Sequence, residues 1–193
     1  MKSRQEIAEQ ILAAAEKRFF HYGFGKTTMA EIAADCDMSP ANIYRFFSNK
    51  QDIVAILAGR CFNFVENSLQ NAVQRPELSA AQQLEEFARV LLESNFSLYA
   101  EKPKVSEAVQ YITEKRTDLV EAHRRILAEI LAEVLASGMQ RGEFRKGNSQ
   151  ELAEFVLNSL VLFQYPVFVL TCQLEELRRN ASGIARLLVR GLQ

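Results

Sequence analysis

Asn42 and Arg45 stand three residues apart in the segment Ser39-Pro40-Ala41-Asn42-Ile43-Tyr44-Arg45-Phe46-Phe47. A helix that buries Ile43, Phe46 and Phe47 leaves the amide and the guanidinium together on its other side, because positions i and i+3 share a helix face. An asparagine so placed can pair bidentately with adenine, and an arginine with N7 and O6 of guanine. The neighbouring residues would build the elements that present this pair. Thr28 and Glu31 form a capping box for a short helix with Met29, Ile32, Ala33 and Cys36 inward. Asp37 and Met38 make a turn, and Ser39-Pro40 supplies an N-cap and a proline at the first helical position. Residues 28–47 therefore have the layout of a helix-turn-helix, whose second helix can enter the major groove while the first crosses the backbone. Upstream, Ser3 and Glu6 cap a helix striped with Ile7, Ile11, Ala15 and Phe19, which Gly23 and Gly25 end. Taken singly, these features have plain structural readings: caps occur at many helix ends, Tyr44 could be a half-buried surface aromatic, and Lys50 a solvated charge. Their order is what argues for a nucleic-acid surface.

In that order, Gly23-Phe24-Gly25-Lys26-Thr27-Thr28-Met29, Ile32-Ala33, Met38-Ser39, Ile43-Tyr44-Arg45-Phe46-Phe47 and Lys50 resemble the DNA-binding head of TetR-type transcriptional regulators over about 45 residues. The resemblance implies that Thr28, Tyr44 and Lys50 hold phosphates. It also implies that Ser39, Pro40, Ala41, Asn42 and Arg45 lie in or beside the groove, with Asn42 discriminating sequence and Arg45 shared between base and phosphate. Each phosphate role has a physical basis: a hydroxyl at a helix N-terminus, an aromatic ring with a polar tip, and a mobile cation. One position departs from the family, since Asp37 stands where a glycine is usual. Asp tolerates a left-handed backbone better than most residues but less well than Gly, and it adds negative charge beside the reading helix.

The chain has 193 residues, 48% of them hydrophobic and 24% charged, with a net charge of -1, which is the composition of an ordinary globular protein. Residues 1–50 carry seven Lys and Arg against six Asp and Glu, so charge alone does not point to nucleic acid. Three widely spaced cysteines and an N-terminus without an apolar run lead us to expect reduced thiols and a cytoplasmic protein, and the resemblance to TetR-type regulators implies a bacterial one. Catalysis is not expected: His21 and His123 are the only histidines, and no nucleophile elbow, phosphate loop, metalloprotease or paired-cysteine motif is present. We expect neither a cofactor nor a metal. The twenty uncharged residues from Phe155 to Leu174 match a membrane span in length, but Asn158, Ser159, Gln164 and Pro166 interrupt them, so a buried helix kinked at Pro166 is preferred.

The hydrophobic period is helical nearly throughout, so the fold class is all-α: a three-helix head, residues 1–47, and a larger helical body, residues 48–193. In this family the body binds an inducer and dimerises. Among its many aromatics, Phe96, Tyr99, Tyr111 and His123 are the pocket candidates, although most such residues serve as core. Leu152, Phe155, Val156, Leu160 and Phe163 on one helix, with Leu177, Ile184, Leu187 and Leu188 on the last, are apolar enough to form a four-helix homodimer interface. The expected function is a dimeric repressor released from a pseudo-palindromic operator by a small, mainly apolar effector. A helical small-molecule carrier or adaptor that does not bind DNA is the alternative.

Overall fold

The computed structural model describes residues 2–100, 102 and 104–193, and every regular element among them is helical. In order these are α1 (Arg4–Tyr22), α2 (Met29–Asp35), α3 (Pro40–Ile43), α4 (Lys50–Val73), α5 (Ala80–Tyr99), α6 (Val105–Lys115), α7 (Thr117–Gln140), α8 (Ser149–Ser159), a 3₁₀ turn (Val161–Phe163), α9 (Pro166–Val169) and α10 (Leu174–Leu192). Pro103, expected to help close the fifth helix, lies outside the described residues.

The chain forms two compact units, residues 1–61 with 101–120 and residues 62–100 with 121–193. The first is therefore not a continuous stretch: α6 belongs with the three N-terminal helices, whereas the sequence suggested a division at residue 47. Its buried residues come from α1 (Ile11, Leu12, Ala15, Phe19), α2 (Met29, Ile32, Ala33), the α3 region (Ile43, Phe47), the start of α4 (Ile53, Val54, Leu57) and α6 (Val105, Ala108, Ile112). The caps read from the sequence form as expected. Ser3 and Glu6 make a reciprocal box at α1, and Thr28 and Glu31 make one at α2, each satisfying two otherwise orphaned backbone donors.

The second unit is built on a core of Leu84, Phe87, Leu91, Leu127, Leu131, Leu135, Phe163, Leu177, Ala181 and Ala185, with α10 lying along α5. Ala181 and Ala185 are the small residues on the buried side of α10, which lets the two backbones approach closely. The turn after α7 is equally tight. Gly142 adopts φ +73°, and a Cβ on Gly138 would collide with the Phe144 ring, so both glycines are required where they stand.

Two expectations are corrected. The apolar stretch from Leu152 to Cys172 is not one helix: α8 stops at Ser159, and the chain passes through the 3₁₀ turn into the short α9. Pro166 has no N–H to continue a ladder and forces Tyr165 into an extended conformation (φ -116°, ψ 138°), so the helix is interrupted rather than kinked. At the break the Leu157 carbonyl accepts from the Leu160 amide at 3.1 Å and, as a second donor, from the Gln164 side chain at 3.0 Å. No helix among the described residues is long and apolar enough to cross a membrane. The third helix is also shorter than expected. After Ile43 the backbone tightens into i→i+3 bonds, Arg45 to Asn42 and Phe46 to Ile43, and Phe46 is only half-buried.

Candidate nucleic-acid interface

The reading segment begins at an observed left-handed residue. Asp37 has φ 55°, the one non-glycine positive φ among the described residues, and it reverses the chain between α2 and α3. The Met38 amide closes this turn by donating to the Ala33 carbonyl at 2.9 Å. Ser39 caps α3 by accepting from the Asn42 amide at 3.3 Å, and Pro40 occupies the first helical position. With Ile43 fully buried and Phe47 nearly so, Pro40, Ala41, Tyr44 and Arg45 are exposed, while Asn42 is half-buried beside them. The Tyr44 side is 54% open to solvent, which is unusual for an aromatic without a partner to meet. Thr28 is exposed at the start of α2, but its hydroxyl already donates to Glu31 Oε2 at 2.8 Å and would have to rotate to serve an anion.

Arg4 extends the same surface. It donates to the Arg45 carbonyl at 3.1 Å and lies over the Phe46 ring, 5.7 Å from its centre. It therefore pins the C-terminal side of the reading segment to α1. Sequence reasoning missed Arg4 because its partner lies 41 residues away, and only the fold joins them. On the other side of α2, Arg18 holds Asp35 with a bidentate pair and reaches Glu31, so these carboxylates are partly neutralised. The Arg18 guanidinium beside Asp35 holds the Asp35 carboxyl below the usual carboxylate range.

Lys50 is placed differently from the free phosphate ligand expected. Its ammonium donates to the carbonyls of Phe24 (2.7 Å), Gly25 (3.2 Å) and Thr27 (2.9 Å), and it sits 4.7 Å from the centre of the Phe24 ring. An ammonium has three hydrogens, and all are used. Burial pushes its pKa down, opposed by the Glu107 and Glu31 charges. In this arrangement Lys50 shapes the loop that leads into α2.

Of the pocket candidates, Phe96 and Tyr99 on α5 and His123 on α7 lie in the second unit, and Tyr111 in the first. Tyr111 packs against Phe24, with ring centres 4.7 Å apart, and so belongs to the head and not to a body pocket. Phe96 packs on the body core, and the Tyr99 hydroxyl donates to the Gln164 carbonyl at 3.1 Å. His123 stacks flat on Phe62, centres 4.3 Å apart, and its Nδ1 lies 2.6 Å from Glu66 Oε1. Burial lowers the pKa of His123, and the Glu66 hydrogen bond opposes that shift.

The interface candidates also divide. Val156, Leu160, Phe163 and Leu177 are buried in the protomer's own core and are not available to a second copy. Phe155 is 57% and Leu187 68% exposed, with Leu152, Ile184 and Leu188 half-buried. The apolar period identified α8 and α10 as apolar helices but not which of their faces turn outward, because both carry apolar residues on more than one side.

Residues 11–56 match the family described as bacterial regulatory proteins, tetR family, and residues 80–185 match the tetracyclin repressor-like C-terminal domain. The fatty acid metabolism regulator protein of Bacillus subtilis (strain 168) is 24% identical across 100% of this chain and 98% of its own length. A transcriptional regulator of Cytophaga hutchinsonii has a similar crystal structure, with TM-score 0.73, 25% identity and coverage of 96% of this chain and 97% of that one. AibR, solved in complex with isovaleryl coenzyme A and operator DNA, superposes with TM-score 0.60 at 19% identity, covering 92% of this chain and 97% of its own. A helix-turn-helix with exposed Tyr44 and Arg45 beside a half-buried Asn42, followed by a helical body that matches the second family description over more than half the chain, leads to one assignment: this protein belongs to the tetR family of bacterial transcriptional regulators.

Proposed function

We propose that this regulator binds a pseudo-palindromic operator as a homodimer and is released from it by a small effector with an apolar acyl chain, fatty acyl-CoA thioesters being the first class to test. The observation that carries the DNA half of this reading is the exposed array of Pro40, Ala41, Tyr44 and Arg45 beside Asn42, fixed by the Ser39 cap and the Arg4 strut. Asn42 and Arg45 read base edges, and Thr28 and Tyr44 contact phosphates. The dimer forms through the outward faces of α8 and α10, centred on Phe155 and Leu187, and a two-fold axis places two reading segments on one side of the duplex. The protein acts in the cytoplasm, by binding and not by catalysis.

The effector class is supported by the Bacillus subtilis relative, aligned from end to end and named for fatty acid metabolism, and by the acyl-CoA held in AibR. Release is a population shift: effector favours a conformation in which the two heads do not fit the operator's half-sites. Each tenfold loss of operator affinity requires about 1.4 kcal/mol of differential binding.

Fluorescence anisotropy with labelled duplexes from the DNA flanking its own gene tests the reading. Saturable binding to a palindrome, reversed by micromolar acyl-CoA and not by coenzyme A alone, is the expected result. Binding that does not discriminate the palindrome from scrambled duplex would overturn the DNA half. Operator binding untouched by acyl-CoA of every chain length would overturn the effector class.

A further inference from the structure

Glu107, on α6, reaches the loop that connects α1 to α2. Its Oε2 accepts from the Gly25 amide at 3.1 Å across 82 residues of sequence. Its carboxylate also lies directly on Gly23, where a Cβ would stand 2.5 Å from Oε2, and Gly23 itself needs φ +98°. Four residues along α6, on the same face, Tyr111 packs on Phe24, which meets Phe19 edge-on with centres 5.2 Å apart. At the near end of α6 the Lys104 amide donates to the Phe20 carbonyl at 3.2 Å. Residues 20–25 are thus held from one side by α6 and from the other by the Lys50 ammonium on the carbonyls of Phe24, Gly25 and Thr27. The loop ends at Thr28, the N-cap of α2, and Thr27 closes it by donating to the Gly23 carbonyl at 2.9 Å.

We propose that Glu107 is a positioning residue for operator recognition: by holding the Gly23–Gly25 backbone against α6, it sets the angle at which α2 enters the helix-turn-helix. The proposal rests on the DNA-binding reading above and adds to it a residue that touches no DNA and lies well outside the segment 11–56 matched to the DNA-binding family. Its physical basis is a charge-assisted hydrogen bond to a backbone amide, an interaction stronger than a neutral pair and specific in direction.

The test uses the full-length protein, its Glu107→Ala and Glu107→Gln variants, and a duplex selected by the parent protein from a random-sequence pool. Glu107→Ala should weaken binding to the selected duplex on the order of tenfold, the equivalent of one charged hydrogen bond discounted for partial exposure. Binding to scrambled duplex and the salt slope should stay unchanged, since no phosphate contact is lost. Glu107→Gln keeps an acceptor for the Gly25 amide and should stay within about threefold of the parent, a rescue that mere loss of folding would not produce. Hydrogen exchange at Gly25 should accelerate in the Ala variant and not in the Gln variant. Unchanged operator affinity in Glu107→Ala, or an equal loss on selected and scrambled duplexes in both variants, would overturn the proposal. If the pool yields no selected duplex, the DNA-binding reading itself fails, and Gly25 exchange still decides whether Glu107 holds the loop.

Discussion

Replacing Lys50 by Ala separates a structural ammonium from a phosphate-binding one. The side chain donates three hydrogen bonds of 2.7, 2.9 and 3.2 Å to carbonyls of one loop. Bonds that involve a charged group contribute about 1.5–3 kcal/mol each when well sheltered. Lys50 is only half-buried and water can replace part of what is lost, so we expect the three together to cost about 2–4 kcal/mol of unfolding free energy. A solvated lysine that met only DNA would cost almost nothing in the free protein and would reduce the salt slope of binding by about one. The assay is urea unfolding followed by circular dichroism, alongside anisotropy at several salt concentrations. A lowered midpoint with an unchanged slope supports the placement seen here. Lys50→Arg should not rescue stability, because a planar guanidinium cannot aim three hydrogens at clustered carbonyls as an ammonium does. If the Ala variant unfolds like the parent while its salt slope falls by one, the loop-binding account of Lys50 is refuted.

Asp37→Ala should destabilise the protein by about 1 kcal/mol and Asp37→Gly should not, because only the second accepts φ 55° without strain; equal urea midpoints would deny that the turn is strained. Phe155→Glu, which places a charge on an exposed apolar side chain and appears twice across a two-fold axis, should weaken dimerisation at least a hundredfold without lowering protomer helicity; sedimentation equilibrium showing an unchanged mass would move the interface elsewhere. The neutral form of His123 is favoured in the fold, chiefly by burial, so its folded pKa lies below its unfolded value near 6.5. Stability is therefore full above that value and falls as pH drops below it, since the unfolded chain takes up the proton first. Thermal melts between pH 7.5 and 5 should show this decline, and His123→Gln should flatten it; parallel curves would assign the decline to other groups.

Local rules carried most of the head. The Thr28–Glu31 box, the Ser39-Pro40 start and the turn at Asp37 are set by neighbours within five residues, so their chemistry could be read directly from the chain. What escaped were the long-range partners. Nothing near Glu107 in sequence announces Gly25, and Lys50 has the composition of a surface cation until the fold brings three carbonyls to it. The body was legible as helices and much less as faces. A period of 3.6 residues marks Val156 and Leu160 as apolar but does not tell a protomer's interior from its contact with a copy, since burial in either is driven by the same transfer of apolar surface from water. The break before Pro166 was visible as a proline, but a kinked and an interrupted helix differ in whether the carbonyls of the preceding residues find other donors.

The membership of residues 101–120 in the first unit bears on how this protein can be cut and recombined. A fragment ending shortly after residue 56 would expose Phe24 where Tyr111 had covered it and leave the Gly25 amide without its acceptor. An isolated head should therefore be poorly folded, and chimeras that graft it onto another sensor need to carry α6 along, as two stretches of sequence transplanted together.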